Sequence, residues 1–70
     1  MRGREATRFR AARINAGMTQ RELANAVAIR EEDAHRLEAG YWDPSHEMRL
    51  KLCRAIGVPL YTVFDDRGAI

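Results

Sequence analysis

Apolar residues recur three or four positions apart in four separate stretches of the chain, each bounded by polar residues and turn formers. Phe9 and Ala12, Leu23 and Val27, Ala34 and Leu37, and Met48, Leu52 and Ile56 keep this spacing. Such spacing marks a helix with one buried stripe, and the period-two alternation that signals a half-buried strand is missing. Glycines sharpen the boundaries. Gly17, Gly40 and Gly57 each follow one stretch, where a residue at positive φ closes a helix without a Cβ penalty, and Pro44 and Pro59 fall where new helices begin. The pattern predicts helices over Glu5–Ala16, Gln20–Val27, Glu31–Ala39 and His46–Ile56, with a short fifth one over Leu60–Phe64. Thr19 and Glu22 have the spacing of a capping box at the second helix, and Ser45 is placed to cap the fourth. Helices this short are not stable alone, so their packing must hold them.

At 70 residues the chain is expected to form a single domain over 1–70, with residues 1–4 and 66–70 as flexible ends. A chain of this size buries only about 60% of its unfolded surface, so its core must be small and well filled. The 46% of hydrophobic residues and 31% of charged ones describe a globular protein. No apolar run approaches the ~20 residues that cross a bilayer, so no membrane partner is expected. No secretory leader is visible, and Cys53 has no second cysteine to pair with. A reducing cytoplasm is the expected location, with Cys53 in the core.

Net charge is only +2, but Arg2, Arg4, Arg8, Arg10 and Arg13 crowd the first thirteen residues against Glu5. This cluster suits either a footprint for phosphates or a solvated helix face. The chemistry of catalysis is missing. His35 and His46 stand eleven apart without a cysteine pair, which is no zinc spacing, and there is no glycine-rich phosphate loop or nucleophile elbow. Glu31, Glu32 and Asp33 lack the alternating ligands and central glycine of a calcium loop. The chain is therefore expected to be neither an enzyme nor a cofactor protein.

Residues 13–64 carry a run of motifs in register: Arg13, Gly17, "TQ" at Thr19 and Gln20, "ELA" at Glu22 to Ala24, "RLEAG" at Arg36 to Gly40, "DPS" at Asp43 to Ser45 and "AIGV" at Ala55 to Val58. In these the chain resembles the phage Cro and repressor type (XRE-like) of helix-turn-helix domain. The resemblance implies an all-α, compact five-helix, lambda-repressor-like fold, used as a homodimer on double-stranded operator DNA with the third helix in the major groove. It assigns Gln20 and the amides that open the second helix to a phosphate. The bland alternative for Gln20 is an ordinary exposed helix-start residue. Arg30, Glu31, Glu32, Asp33, His35 and Arg36 fall on the DNA-facing stretch, with Arg36 the strongest candidate for guanine or phosphate. For His35 and Arg36 the alternative is plain surface helix. The same resemblance makes Arg13 and Glu38 a structural ion pair beneath the surface. Trp42 is expected to anchor its loop on the core, or else to be an exposed contact. Tyr61 and Val63, in the apolar tail from Val58 to Phe64, are expected to be partly exposed, as a two-fold contact would need, with a partly buried cap on the core as the equal alternative for Tyr61.

Members often have glycine in the turn, a small hydroxyl as cap of the third helix and neutral or basic residues after it. Here stand Ala28, Arg30 and three acids. The acids have three readings. They complement the helix dipole by about 0.3–1 kcal/mol, with Glu32 spaced to pair with Arg36; one of them accepts from cytosine N4; or they keep the helix off DNA by opposing counterion release. The last would make the protein an antagonist that binds a basic partner protein through an acidic helix, and a factor binding both DNA and protein is a third possibility. Arginines converging on the groove side favour DNA, and a negative face with arginines opposite favours the antagonist.

Overall fold

The structure, a computed structural model of the chain, describes residues 7–65 and 68–70. Four α-helices, α1 (Arg8–Asn15), α2 (Gln20–Val27), α3 (Glu31–Glu38) and α4 (His46–Ile56), are followed by a 3-10 turn (Leu60–Thr62). Two short strands, β1 (Phe64–Asp65) and β2 (Gly68–Ala69), complete the described chain. The starts of α2 and α4 lie where the capping residues put them. Thr19 accepts from the Glu22 amide at 3.0 Å while the Glu22 carboxylate accepts from the Thr19 amide at 2.9 Å, and Ser45 accepts from the Met48 amide at 3.2 Å. The first helix starts later than the periodicity suggests, because Thr7 caps it by accepting from the Arg10 amide at 3.0 Å. Glu5, in the expected first turn, lies outside the described residues.

The C-terminal segment differs from expectation. In place of a fifth α-helix there is one 3-10 turn, closed by the Thr62 amide on the Pro59 carbonyl at 3.2 Å. Five residues cannot offset the cost of starting an α-helix, and a single i+3 closure is the short alternative. The chain then straightens into β1, which pairs antiparallel with β2 in the register Phe64 to Ala69 and Asp65 to Gly68. Strands of two residues are too short to show alternation. Residues 68–70, read from the sequence as part of a flexible end, are tied down: the Ile70 amide donates to the Val63 carbonyl at 3.0 Å, and the Arg8 amide donates to the Ile70 carbonyl. Residues 1–4, 66 and 67 lie outside the described residues.

All four helices end in the same way, with an amide reaching back five residues to a carbonyl. Met18 donates to Arg13, Ile29 to Ala24, Tyr41 to Arg36 and Val58 to Cys53, at 2.8 to 3.2 Å. The closure needs a left-handed residue, which is glycine at Gly17, Gly40 and Gly57 but alanine at Ala28, with φ of 60°. An L-residue held there is less stable by about 1–2 kcal/mol. That strain falls in the turn that sets α3 against α2.

The core joins every helix to the C-terminal strands. Phe9, Leu23, Leu37, Leu52 and Phe64 are fully buried, each contributing about 1.5–3 kcal/mol by leaving water. The Phe9 and Phe64 rings meet at 5.6 Å between centroids. Val63 is buried rather than partly exposed, because the turn at Leu60–Thr62 directs it inward, whereas Tyr61 keeps 77% exposure. Cys53 is buried, and burial raises the pKa of its thiol above the ordinary 9.0. Trp42 is half-buried and packs against the core. Arg49 fastens its loop: Nε donates to the Pro44 carbonyl at 3.1 Å, Nη1 to the Asp65 carbonyl at 2.9 Å and Nη2 to the Asp43 carboxylate, with the guanidinium 5.4 Å from the centre of the Phe64 ring.

Candidate nucleic-acid interface

Beneath α3 a single carboxylate gathers three elements. Glu38, near the end of α3, receives Arg13 Nε at 2.6 Å and Nη2 at 3.0 Å from α1, and Gln20 Nε2 at 3.0 Å from the first residue of α2. The third donor of Arg13, Nη1, goes to the Met18 carbonyl at 2.6 Å, and the more exposed Arg10 stands 3.9 Å from Glu38. Arg13 and Glu38 retain only 7% and 3% exposure, so a charged pair whose three guanidinium nitrogens and two carboxylate oxygens are all hydrogen-bonded sits inside the fold. Arg13 is thereby removed from the N-terminal arginine cluster, in which Arg2 and Arg4 lie outside the described residues. Gln20 is half-buried, its amide group already occupied by Glu38. Among the described residues, no acceptor takes the backbone amides of Gln20 and Arg21, which open α2 beside it.

The outer face of α3 has a different construction. Ala34, Leu37 and Glu38 point inward, and at about 100° per residue this turns Glu32 and Arg36 outward with Asp33 and His35 on the two flanks. Arg30 occupies the cap position with no side-chain cap bond, so the first-turn acids Glu31, Glu32 and Asp33 are the groups that answer the positive end of the helix. Arginines meet two of them. Arg21 Nε of α2 lies 3.5 Å from Glu31, Arg30 Nε lies 3.4 Å from Asp33 Oδ2, and Arg36 Nη1 lies 3.6 Å from Asp33 Oδ1. The expected partner of Arg36, Glu32, is replaced by Asp33 on the adjoining flank. Glu32 has no ion-pair partner among the described residues, and with Gln20, Glu31 and His35 it lines a shallow depression between α2 and α3.

Three arginines thus stand among three acids, and the charges are interleaved. Arg21 was no candidate on sequence, since ten positions separate it from Glu31 and only the packing of α2 against α3 brings them together. Among the described residues no group of three or more histidine, cysteine or acidic side chains is arranged to hold a metal, and no helix is long and apolar enough to cross a membrane.

A family described as "helix-turn-helix domain" matches residues 6–62 of this chain. The chain belongs to that helix-turn-helix family. The match fits the Cro and repressor type of regulator suggested by the motifs. Two proteins from Archaeoglobus fulgidus, both described as uncharacterized HTH-type transcriptional regulators, are similar over most of their length. One is 39% identical over 86% of this chain and 89% of its own, and the other 34% identical over 83% and 82%. A hypothetical transcription factor from Neisseria has a similar fold, with a TM-score of 0.72, covering 87% of this chain and 81% of its own at 22% identity.

Proposed function

We propose that the protein is a sequence-specific DNA-binding transcriptional regulator that places α3 in the major groove and binds a phosphate at the start of α2. The observation that carries this is the interleaving of charge on α3. A bare acidic face would oppose phosphates, but Arg21, Arg30 and Arg36 stand within 3.4 to 3.6 Å of Glu31 and Asp33. Exposed pairs of this length are weak, so Arg21 can exchange Glu31 for a phosphate at little cost, while Arg30 and Arg36 share the half-buried Asp33. The names of the two Archaeoglobus relatives, HTH-type transcriptional regulators, support the same function.

In this proposal Arg36, on the outward face, pairs with guanine, and Glu32 one turn before it is placed to accept from cytosine N4. His35, Arg30 and Arg21 lie beside them for phosphate or base contact, and Glu31 and Asp33 serve mainly to hold arginines. Gln20 keeps its bond to Glu38 while the adjacent amides of α2 receive the phosphate. A two-fold dimer is part of the proposal, with exposed Tyr61 at its contact and Val63 excluded from it by burial.

The test is footprinting of the full chain on fragments of its own genome at physiological salt. A protected operator is expected, with log affinity falling linearly as log salt rises. Replacing both Glu31→Gln and Glu32→Gln is expected to strengthen binding to random DNA, most at low salt, and to weaken the operator by about 1–3 kcal/mol if Glu32 reads cytosine. No protected site at any salt, together with a complex formed with a basic protein, would establish the antagonist instead.

A further inference from the structure

Asp33 uses both carboxylate oxygens on arginines. Its Oδ2 faces Arg30 Nε at 3.4 Å and its Oδ1 faces Arg36 Nη1 at 3.6 Å. The Asp33 side chain keeps 21% exposure, against 75% for Arg30 and 51% for Arg36, so a half-buried anion holds two cations that lean into solvent. Asp33 lies on the flank of α3, and Arg36 starts from its outward face three residues later. We propose that Asp33 is a specificity-determining positioning residue: it holds Arg36 against the flank of α3, so that the guanidinium meets a guanine edge instead of folding back to the nearest phosphate. The inference rests on α3 being the helix that enters the groove.

Arginine on a long flexible stem is drawn to phosphate at least as readily as to a base, and a phosphate contact carries no sequence information. A guanidinium has five donors in a planar fork, and an ion pair through one Nη leaves the rest of the fork for the O6 and N7 of guanine. Aspartate suits the task because its carboxylate sits one carbon from Cβ and cannot follow Arg36 outward. Arg30 supplies the second half of the device. Its pair with Oδ2 fixes the carboxylate plane and neutralises it, so that Asp33 can stand close to the DNA backbone without repelling it.

The experiment is selection of bound sites from a random duplex library by wild type, Arg36→Ala, Asp33→Asn and Asp33→Glu, each checked for cooperative melting. Wild type is expected to enrich a site containing a guanine whose enrichment disappears in Arg36→Ala. Asp33→Asn is expected to bind random DNA as well as wild type or better, while discrimination at that guanine falls at least fivefold. Asp33→Glu keeps the charge and displaces the carboxylate. It is expected to lose discrimination too while retaining the wild-type salt dependence, which a purely electrostatic role would not produce. An unchanged guanine preference in both Asp33 variants overturns the positioning role while leaving α3 as the reading helix. So does a preference that survives Arg36→Ala. Failure of wild type to enrich any sequence overturns α3 as the reading helix and this inference with it.

Discussion

Two sets of ion pairs meet helix α3, and they are built on opposite terms. At its end Glu38 binds Arg13 through two bonds of 2.6 and 3.0 Å with both residues inside the fold; at its start Glu31 and Asp33 meet three exposed arginines at 3.4 to 3.6 Å. The buried pair cannot be separated without leaving a charge in a dry place, so it fixes where α3 sits relative to α1 and α2. The most exposed of the second set, Arg21 with Glu31, has water as a ready substitute for either partner. One helix therefore carries a rigid anchor at one end and looser, solvent-facing contacts at the other.

The sharpest way to break the comparison is at the anchor. Glu38→Ala leaves the Arg13 guanidinium buried and frees Gln20, and a loss of about 3–5 kcal/mol is expected, enough to abolish cooperative thermal unfolding in a domain this small. Melting within a degree or two of wild type would remove the anchor role. A smaller effect of opposite sign is expected in the turn between the two regions. Ala28→Gly relieves the left-handed strain but enlarges the conformational freedom of the unfolded chain, so a net gain of about 0.5–1 kcal/mol is expected in denaturant titration. A loss would mean that the alanine conformation is unstrained. The smallest effect belongs to the exposed set. A double-mutant cycle on Arg21 and Glu31 is expected to give a coupling of about 0.3 kcal/mol that vanishes in high salt. Coupling as strong as that of the buried pair would erase the distinction between anchor and exchangeable contact.

Helices α2 and α4 are legible in the sequence, because each has a capping hydroxyl at its start and α4 has a glycine closure at its end, while the end of α2 follows from its apolar spacing alone. Both signals are local and act through hydrogen bonds a few residues long. The C-terminal hairpin was not legible, since it depends on Phe64 reaching Phe9 across the core and on the Arg8 amide meeting Ile70, contacts that no short window contains. The candidate interface divides in the same way. Arg36, His35 and the acid run stand out by position on α3, while the role of Arg21 and the capture of Gln20 by Glu38 follow only from how α1, α2 and α3 pack. Spacing of four suggests Glu32 for Arg36; Asp33, three residues before it on the flank of α3, takes it instead. Arg49 was passed over within a run of charged residues on α4, although it is one of the most connected side chains in the fold.

The contacts of Arg49 make two distant segments a single cooperative unit. Its guanidinium holds the Pro44 carbonyl and Asp43 on one side and the Asp65 carbonyl on the other, across the face of Phe64. Opening of the hairpin therefore removes support from the loop that carries Trp42, and loosening of that loop frees the hairpin. In native-state hydrogen exchange, the amide of Ile70, bonded to Val63, and that of Tyr41, bonded to Arg36, should share one opening free energy and one denaturant dependence. Motion at the end of α3 is in this way tied to the C-terminal strands.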